Sequence, residues 1–175
     1  ADNYNPTIGK KYMGMVEAVG ELKAISYDED KNEYTYTVGD HDKPALKTSK
    51  DYSKLFGLNV KVLYKTTSNK TTVYGMYAKD STIMASGVLG DLKVVTSDAN
   101  KIKIDGTEYK LGDVNTSIPM VETVSGKDFG ATTTTDATKL CKSATELNDT
   151  AITASTKYYS FDLLDTNDDN KGDKI

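Results

Sequence analysis

Glu33-Tyr34-Thr35-Tyr36-Thr37-Val38 decides the fold. Tyr34, Tyr36 and Val38 fall on one side of an extended chain, with Glu33, Thr35 and Thr37 on the other. That period of two is the pattern of a half-buried strand. Working backwards, Asp28 to Asn32 is a polar turn. Before it, Tyr12 to Ile25 carries Met13, Met15, Val16, Val19, Leu22 and Ile25 in a β-like pattern, interrupted by Gly14 and Gly20 as bulges or bends would interrupt it. The two runs predict a hairpin.

Working forwards, Gly39 to Lys47 is a polar loop around His41 and Pro44. Ser49 to Phe56 opens on an N-cap residue type and stops at Gly57, which predicts a helix of about two turns. Asn59 to Lys65 and Thr71 to Tyr77 read as paired strands around a Ser68-Asn69-Lys70 turn. Strand, strand, short helix, strand, strand fits a small barrel of the SH3 or OB kind.

A second unit follows. Leu92–Val95, Lys101–Ile104 and Glu108–Leu111 read as short strands, the last two joined by the tight-turn dipeptide Asp105-Gly106. Ala131 to Thr135 is threonine-rich and reads as exposed. Ala137, Leu140, Cys141, Ala144 and Leu147 recur at helical spacing, which predicts a short helix over 136–148. Lys157 to Leu164 reads as a strand. The expectation is a mainly β chain in two small β-rich units: 1–80, a small β-barrel-like unit, and 81–175, a β unit with a short helix that ends in an Asp-rich loop.

Composition agrees with this class. The chain has 175 residues, enough for one large domain or two small ones. Hydrophobic residues are only 37 %, Trp is absent, and 12 tyrosines with many threonines favour pleated surfaces. The basic residues are all lysine. Without arginine, the usual bidentate reader of phosphate and guanine, and with a net charge of −4, nucleic acid is not expected as a partner. No apolar run is long enough for a membrane helix, so membrane insertion is not expected. The start Ala1-Asp2-Asn3 has no apolar segment of the signal-peptide kind. Cys141 is the single cysteine, which excludes an internal disulfide.

The chemistry concentrates at the end. Asp165, Asn167, Asp169, Lys171 and Asp173 occupy positions 1, 3, 5, 7 and 9 of one loop. Four offer side-chain oxygens, and Lys171 offers its carbonyl. One loop surrounds a hard cation in that way, since Ca²⁺ takes six to eight oxygens. An EF-hand is not expected, because Asn170 stands where its glycine would be and the loop follows a predicted strand. Only two residues follow Asp173, and the expectation is that more protein continues beyond. Asp28, Asp30 and Asn32 repeat the spacing without a closing carboxylate and read as a solvated turn. Asp40-His41-Asp42 reads as a surface loop, because one histidine does not build a multi-histidine zinc site. His41 and Cys141 do not form a nucleophile motif, and no phosphate-cradling glycine loop is present. The chain is therefore not expected to be an enzyme. Tyr34, Tyr36, Tyr64, Tyr74, Tyr77, Tyr158 and Tyr159 lie on predicted strands; packing across strands is the simpler role, and a binding face requires them exposed in a row.

The phrases LFGLNVKVLYK (55–65), TTVYGMYAKD (71–80), NKIKIDGTEYKLG (100–112) and YYSFDLLDTNDDNKGDKI (158–175) together resemble the modules that follow anchoring repeats in Gram-positive S-layer and related cell-surface proteins. The anchoring repeats are absent from this sequence, so wall attachment does not carry over. The resemblance implies a secreted, non-catalytic structural segment, stabilised by Ca²⁺, whose partners are neighbouring domains of a longer chain or like subunits, and cell-wall glycan. Residue by residue it carries over only the aspartate loop, at Asp165, Asn167, Asp169, Lys171 and Asp173. Two alternatives stand beside it: a glycan- or protein-binding module using the tyrosine strands, and an accessory domain of a cell-wall-processing enzyme, which would need two convergent carboxylates in a deep cleft.

Overall fold

The computed structural model describes residues 14–88, 91–95, 97–98, 100–112, 118–125, 127–135 and 160–175. The chain is mainly β. Its strands are β1 (Val16–Asp28), β2 (Glu33–Val38), β3 (Leu46–Thr48), β4 (Asn59–Thr67), β5 (Lys70–Ala78), β6 (Thr82–Val88), β7 (Leu92–Val94), β8 (Lys101–Ile104), β9 (Thr107–Lys110), β10 (Ile118–Ser125), β11 (Asp128–Thr135) and β12 (Ser160–Asp165). It divides into two compact units, residues 1–79 with 122–131, and residues 80–121 with 132–175.

In the first unit β1 serves two ladders. Its first half, from Val16 to Glu21, pairs antiparallel with β4, and its second half, from Leu22 onward, pairs with β2. β4 pairs with β5, and β2 with β3. The switch between ladders falls between Glu21 and Leu22, just after Gly20. A Cβ on Gly20 would lie 2.7 Å from the Cα of Gly39, so only a glycine lets these backbones approach so closely. Gly39 N–H then donates to the Glu21 carbonyl at 2.8 Å. Lys23 is an extra residue against β2, and Tyr74 an extra residue on β5. Such bulges bend strands and help curl a sheet around a small core. That core holds Leu22, Ile25, Val38, Leu46, Leu58, Val60, Val62 and Leu63, all essentially inaccessible.

The residues expected to form a helix from Ser49 to Phe56 make instead one 3-10 turn, Ser53–Leu55. Tyr36 is the reason. Its hydroxyl donates to the Lys50 carbonyl at 2.7 Å and accepts from Tyr52 N–H at 2.7 Å. The Lys50 carbonyl, which a helix would offer to Lys54 N–H, is thereby committed to a side chain from β2. The Asp128 carboxylate accepts from Tyr27 N–H at 2.9 Å, Phe129 is the register partner of Ile25, and its ring lies 5.1 Å from that of Phe56. The threonine-rich stretch Ala131–Thr135, read as an exposed segment, is the end of strand β11.

The second unit contains the antiparallel sheet β7-β8-β9 and the antiparallel pair β12-β6. Asp105 and Gly106 both have positive φ (46° and 82°), as a two-residue hairpin turn requires. Leu92, Ile102, Ile104, Leu111, Phe161, Leu163 and Ile175 form its core, with Met84, Ala85 and Tyr109 packed against it. The helix expected over 136–148 lies outside the described residues.

Candidate metal centre

The Asp-rich loop grows directly from β12. Met84 is an extra residue on β6 opposite Leu163 and Leu164, and beyond this bulge the alternation of β12 breaks: Leu163, Leu164 and Asp165 are buried in succession. Asp165 is completely buried at the strand end. A carboxylate so placed must be hydrogen-bonded. Asp165 accepts three backbone N–H bonds, from Asn167 (3.2 Å), Asp169 (3.3 Å) and Asn170 (2.8 Å). The chain wraps around it by taking positive φ at Asp168 (60°) and Asn170 (62°), conformations that Asp and Asn tolerate better than other side chains.

The return of the loop is stitched into the unit. Gly172 N–H donates to the Lys110 carbonyl at 2.8 Å, Gly112 N–H to the Gly172 carbonyl at 2.9 Å, and Asp173 N–H to the Leu164 carbonyl at 2.8 Å. A Cβ on Gly172 would fall 2.6 Å from Leu163 Cδ1, and one on Gly112 would fall 2.5 Å from Asp173 Oδ1. The two glycines let the loop close against the core. Ile175, 7 % exposed, ends in that core.

Carboxylate oxygens of Asp165, Asp169 and Asp173 come within 4.8 Å of one another, ranging from buried (Asp165) through half-buried (Asp173) to exposed (Asp169). The amide end of Asn167 points at all three, 2.8 Å from Asp169 Oδ1, 3.1 Å from Asp165 Oδ1 and 3.0 Å from Asp173 Oδ2. With its nitrogen inward it donates to them; with its oxygen inward it makes a fourth oxygen of the cluster. The nitrogen-inward orientation is the one that satisfies the hydrogen bonding of the three carboxylates. Lys171 N–H donates to Asp169 Oδ1 at 3.0 Å, and Thr166 N–H to Asp173 Oδ2 at 3.0 Å. Burial, and then the negative charges of Asp169 and Asp165, hold the Asp173 carboxyl above the ordinary carboxylate range, against the opposing pull of the Thr166 N–H. Three carboxylates and an amide oxygen suit a hard cation and offer nothing soft for zinc or copper. Asp169, the exposed member of the three, faces solvent.

The other sequence candidates have local roles. Asp28 Oδ1 accepts from Asp30 N–H (3.1 Å) and Lys31 N–H (3.2 Å), and Asn32 accepts the Tyr27 hydroxyl (2.8 Å), so that cluster shapes the β1–β2 turn. His41 Nε2 donates to the Pro44 carbonyl at 2.7 Å. Cys141, Tyr158 and Tyr159 lie outside the described residues. Tyr34, Tyr36 and Tyr64 are buried, with Tyr34 and Tyr36 stacked at 5.9 Å, and Tyr74 is exposed at 48 %. Tyr34, Tyr36 and Tyr64 pack the first unit.

Comparison with protein-family models, with curated proteins and with solved structures returned no match.

Proposed function

We propose that this chain is a non-catalytic structural segment of a secreted bacterial cell-surface protein of the S-layer kind, and that its final loop takes a Ca²⁺ ion. The observation that carries the reading is the convergence of Asp165, Asp169 and Asp173 within 4.8 Å, around the amide of Asn167. Three like charges so close repel, and a divalent cation converts that repulsion into attraction. The loop is tied through Gly172 and Ile175 to the core of the second unit, so an ion there would stiffen that unit as a whole. Asp165, Asp169, Asp173 and Asn167 would be side-chain ligands, with the Lys171 carbonyl as a further oxygen. Neighbouring domains of a longer chain, or like subunits, are the partners this role implies. Isothermal calorimetry of chelator-treated protein against CaCl₂ tests the ion. A saturable one-to-one isotherm is expected, and heat indistinguishable from dilution would remove the proposal.

A further inference from the structure

The second unit carries a cleft of about 280 Å³, lined by Asp98, Asn100, Lys101, Lys110, Leu111, Gly112 and Lys171. Three of these are lysines and one is an acid. Lys101 and Lys110 are direct register partners on β8 and β9. Like charges directly opposite one another in an antiparallel pair are destabilising. Lys101 is partly compensated, with its Nζ 3.9 Å from Asp98 and 3.7 Å from Glu108. Among the described residues, neither Lys110 nor Lys171 has an ion-pair partner. Lys171, on the Asp-rich loop, is also part of the lining.

Both walls are held by backbone bonds. On one side Leu111 N–H donates to the Asn100 carbonyl at 2.7 Å, and Asp98 Oδ1 accepts from Asn100 N–H at 2.9 Å. On the other, Gly172 is bonded to both Lys110 and Gly112. The lysine stems therefore leave from fixed positions, and a guest would not have to order the walls. Leu111, 7 % exposed, gives an apolar floor. The volume is at the small end for ligand sites, room for one compact charged group and not for a long polymer segment.

We propose that this cleft binds an anionic oxygen group, a phosphate or a carboxylate, between Lys110 and Lys171, with Lys101 completing the positive rim. The guest would relieve the Lys101–Lys110 repulsion and give Lys110 and Lys171 a counter-charge, which they do not have in an ion pair among the described residues.

The test is an amide NMR titration of the ¹⁵N-labelled full chain with sodium phosphate and, separately, sodium acetate, at constant ionic strength. Saturable shifts are expected at amides 98, 100–101, 110–112 and 171. Saturation by phosphate alone assigns a phosphoryl guest, and saturation by acetate as well extends the site to carboxylates. The double variant Lys110→Gln/Lys171→Gln should bind at least tenfold more weakly. Lys54→Gln/Lys70→Gln, which removes the same charge from the first unit, should bind within twofold of the parent. Shifts that fail to saturate with either anion, or equal losses in both double variants, would overturn the proposal. If the cleft variant does not fold, the Lys110 and Lys171 side-chain ammonium resonances of the parent decide: they must move with the same midpoint as the amides.

Discussion

Gly172→Ala is the sharpest probe of how the Asp-rich loop is built into the second unit. An added Cβ would lie 2.6, 2.9 and 3.0 Å from Cδ1, Cγ and Cδ2 of Leu163, a side chain with no solvent exposure. The clash reaches the branch carbon as well as the methyl tips, so a rotamer change does not remove it. Overpacking of this kind costs about 1–3 kcal/mol. Replacing glycine where no positive φ is required returns about 0.4–1 kcal/mol through the unfolded chain. The net expectation is a loss of roughly 1–2 kcal/mol. A double-mutant cycle isolates the contact. Leu163→Ala alone should cost about 2–5 kcal/mol as a cavity. In that background Gly172→Ala should be neutral or stabilising, because the opposing atoms are gone, giving a coupling on the order of 1–3 kcal/mol. Urea unfolding followed through core methyl resonances of the second unit reads all four corners. Additive effects, or a neutral Gly172→Ala in the parent, would refute the packing of the loop against Leu163.

Three further outcomes follow from the first unit. Tyr36→Phe should cost about 1–3 kcal/mol in urea melts, since it leaves the Lys50 carbonyl and the Tyr52 N–H without their shared partner. Burial pushes the Tyr36 hydroxyl far above the usual tyrosine range, so its contribution is complete below the ordinary tyrosine pKa and is lost as pH rises beyond it. The parent should therefore lose more stability than Tyr36→Phe on alkaline titration, and equal losses would contradict this. For Asp51, burial pushes the carboxyl upward, but bonds from the Ser53 hydroxyl and N–H and from the Tyr34 hydroxyl, with the Lys127 charge, outweigh it and leave the carboxyl below its ordinary range. Asp51→Asn should destabilise at neutral pH, the difference shrinking as pH falls through the lowered value; a pH-independent difference would show that the charge is not involved. Gly20→Ala drives a Cβ against the Gly39 backbone and should unfold the first unit at lower urea by 1 kcal/mol or more, whereas an unchanged midpoint would mean that the β1 bend does not need glycine.

Local pattern predicted the local elements well. Glu33–Val38 alternates and is β2 at the same bounds, and Ser68-Asn69 and Asp105-Gly106 are tight turns with positive φ at both residues. Of the five loop residues singled out by spacing, Asp165, Asp169 and Asp173 bring carboxylate oxygens within 4.8 Å of one another. Partners distant in sequence were not legible. β6 reads Thr82-Ile83-Met84-Ala85-Ser86-Gly87-Val88, without a clean alternation, and is a strand because β12 pairs with it from far along the chain. β11 escaped for the same reason, since its threonines look solvent-directed until Phe129 meets Ile25. The helix expected from Ser49 was outcompeted by a tyrosine hydroxyl reaching its backbone from β2. The stitching of Gly172 to Lys110 and Gly112, which makes the terminal loop part of a core, left no trace in spacing or composition.

Thermal unfolding of chelator-treated parent and Asp169→Ala, with and without 10 mM CaCl₂ (roughly ten times the weaker affinities typical of extracellular calcium modules), tests the proposed ion most directly. At ten times the dissociation constant linkage adds about 1.4 kcal/mol. The parent midpoint should rise by on the order of 5 °C, and the rise should vanish in Asp169→Ala while the calcium-free midpoints stay close. No calcium-dependent rise in the parent, or the same rise in the variant, would contradict a cation held by Asp165, Asp169 and Asp173.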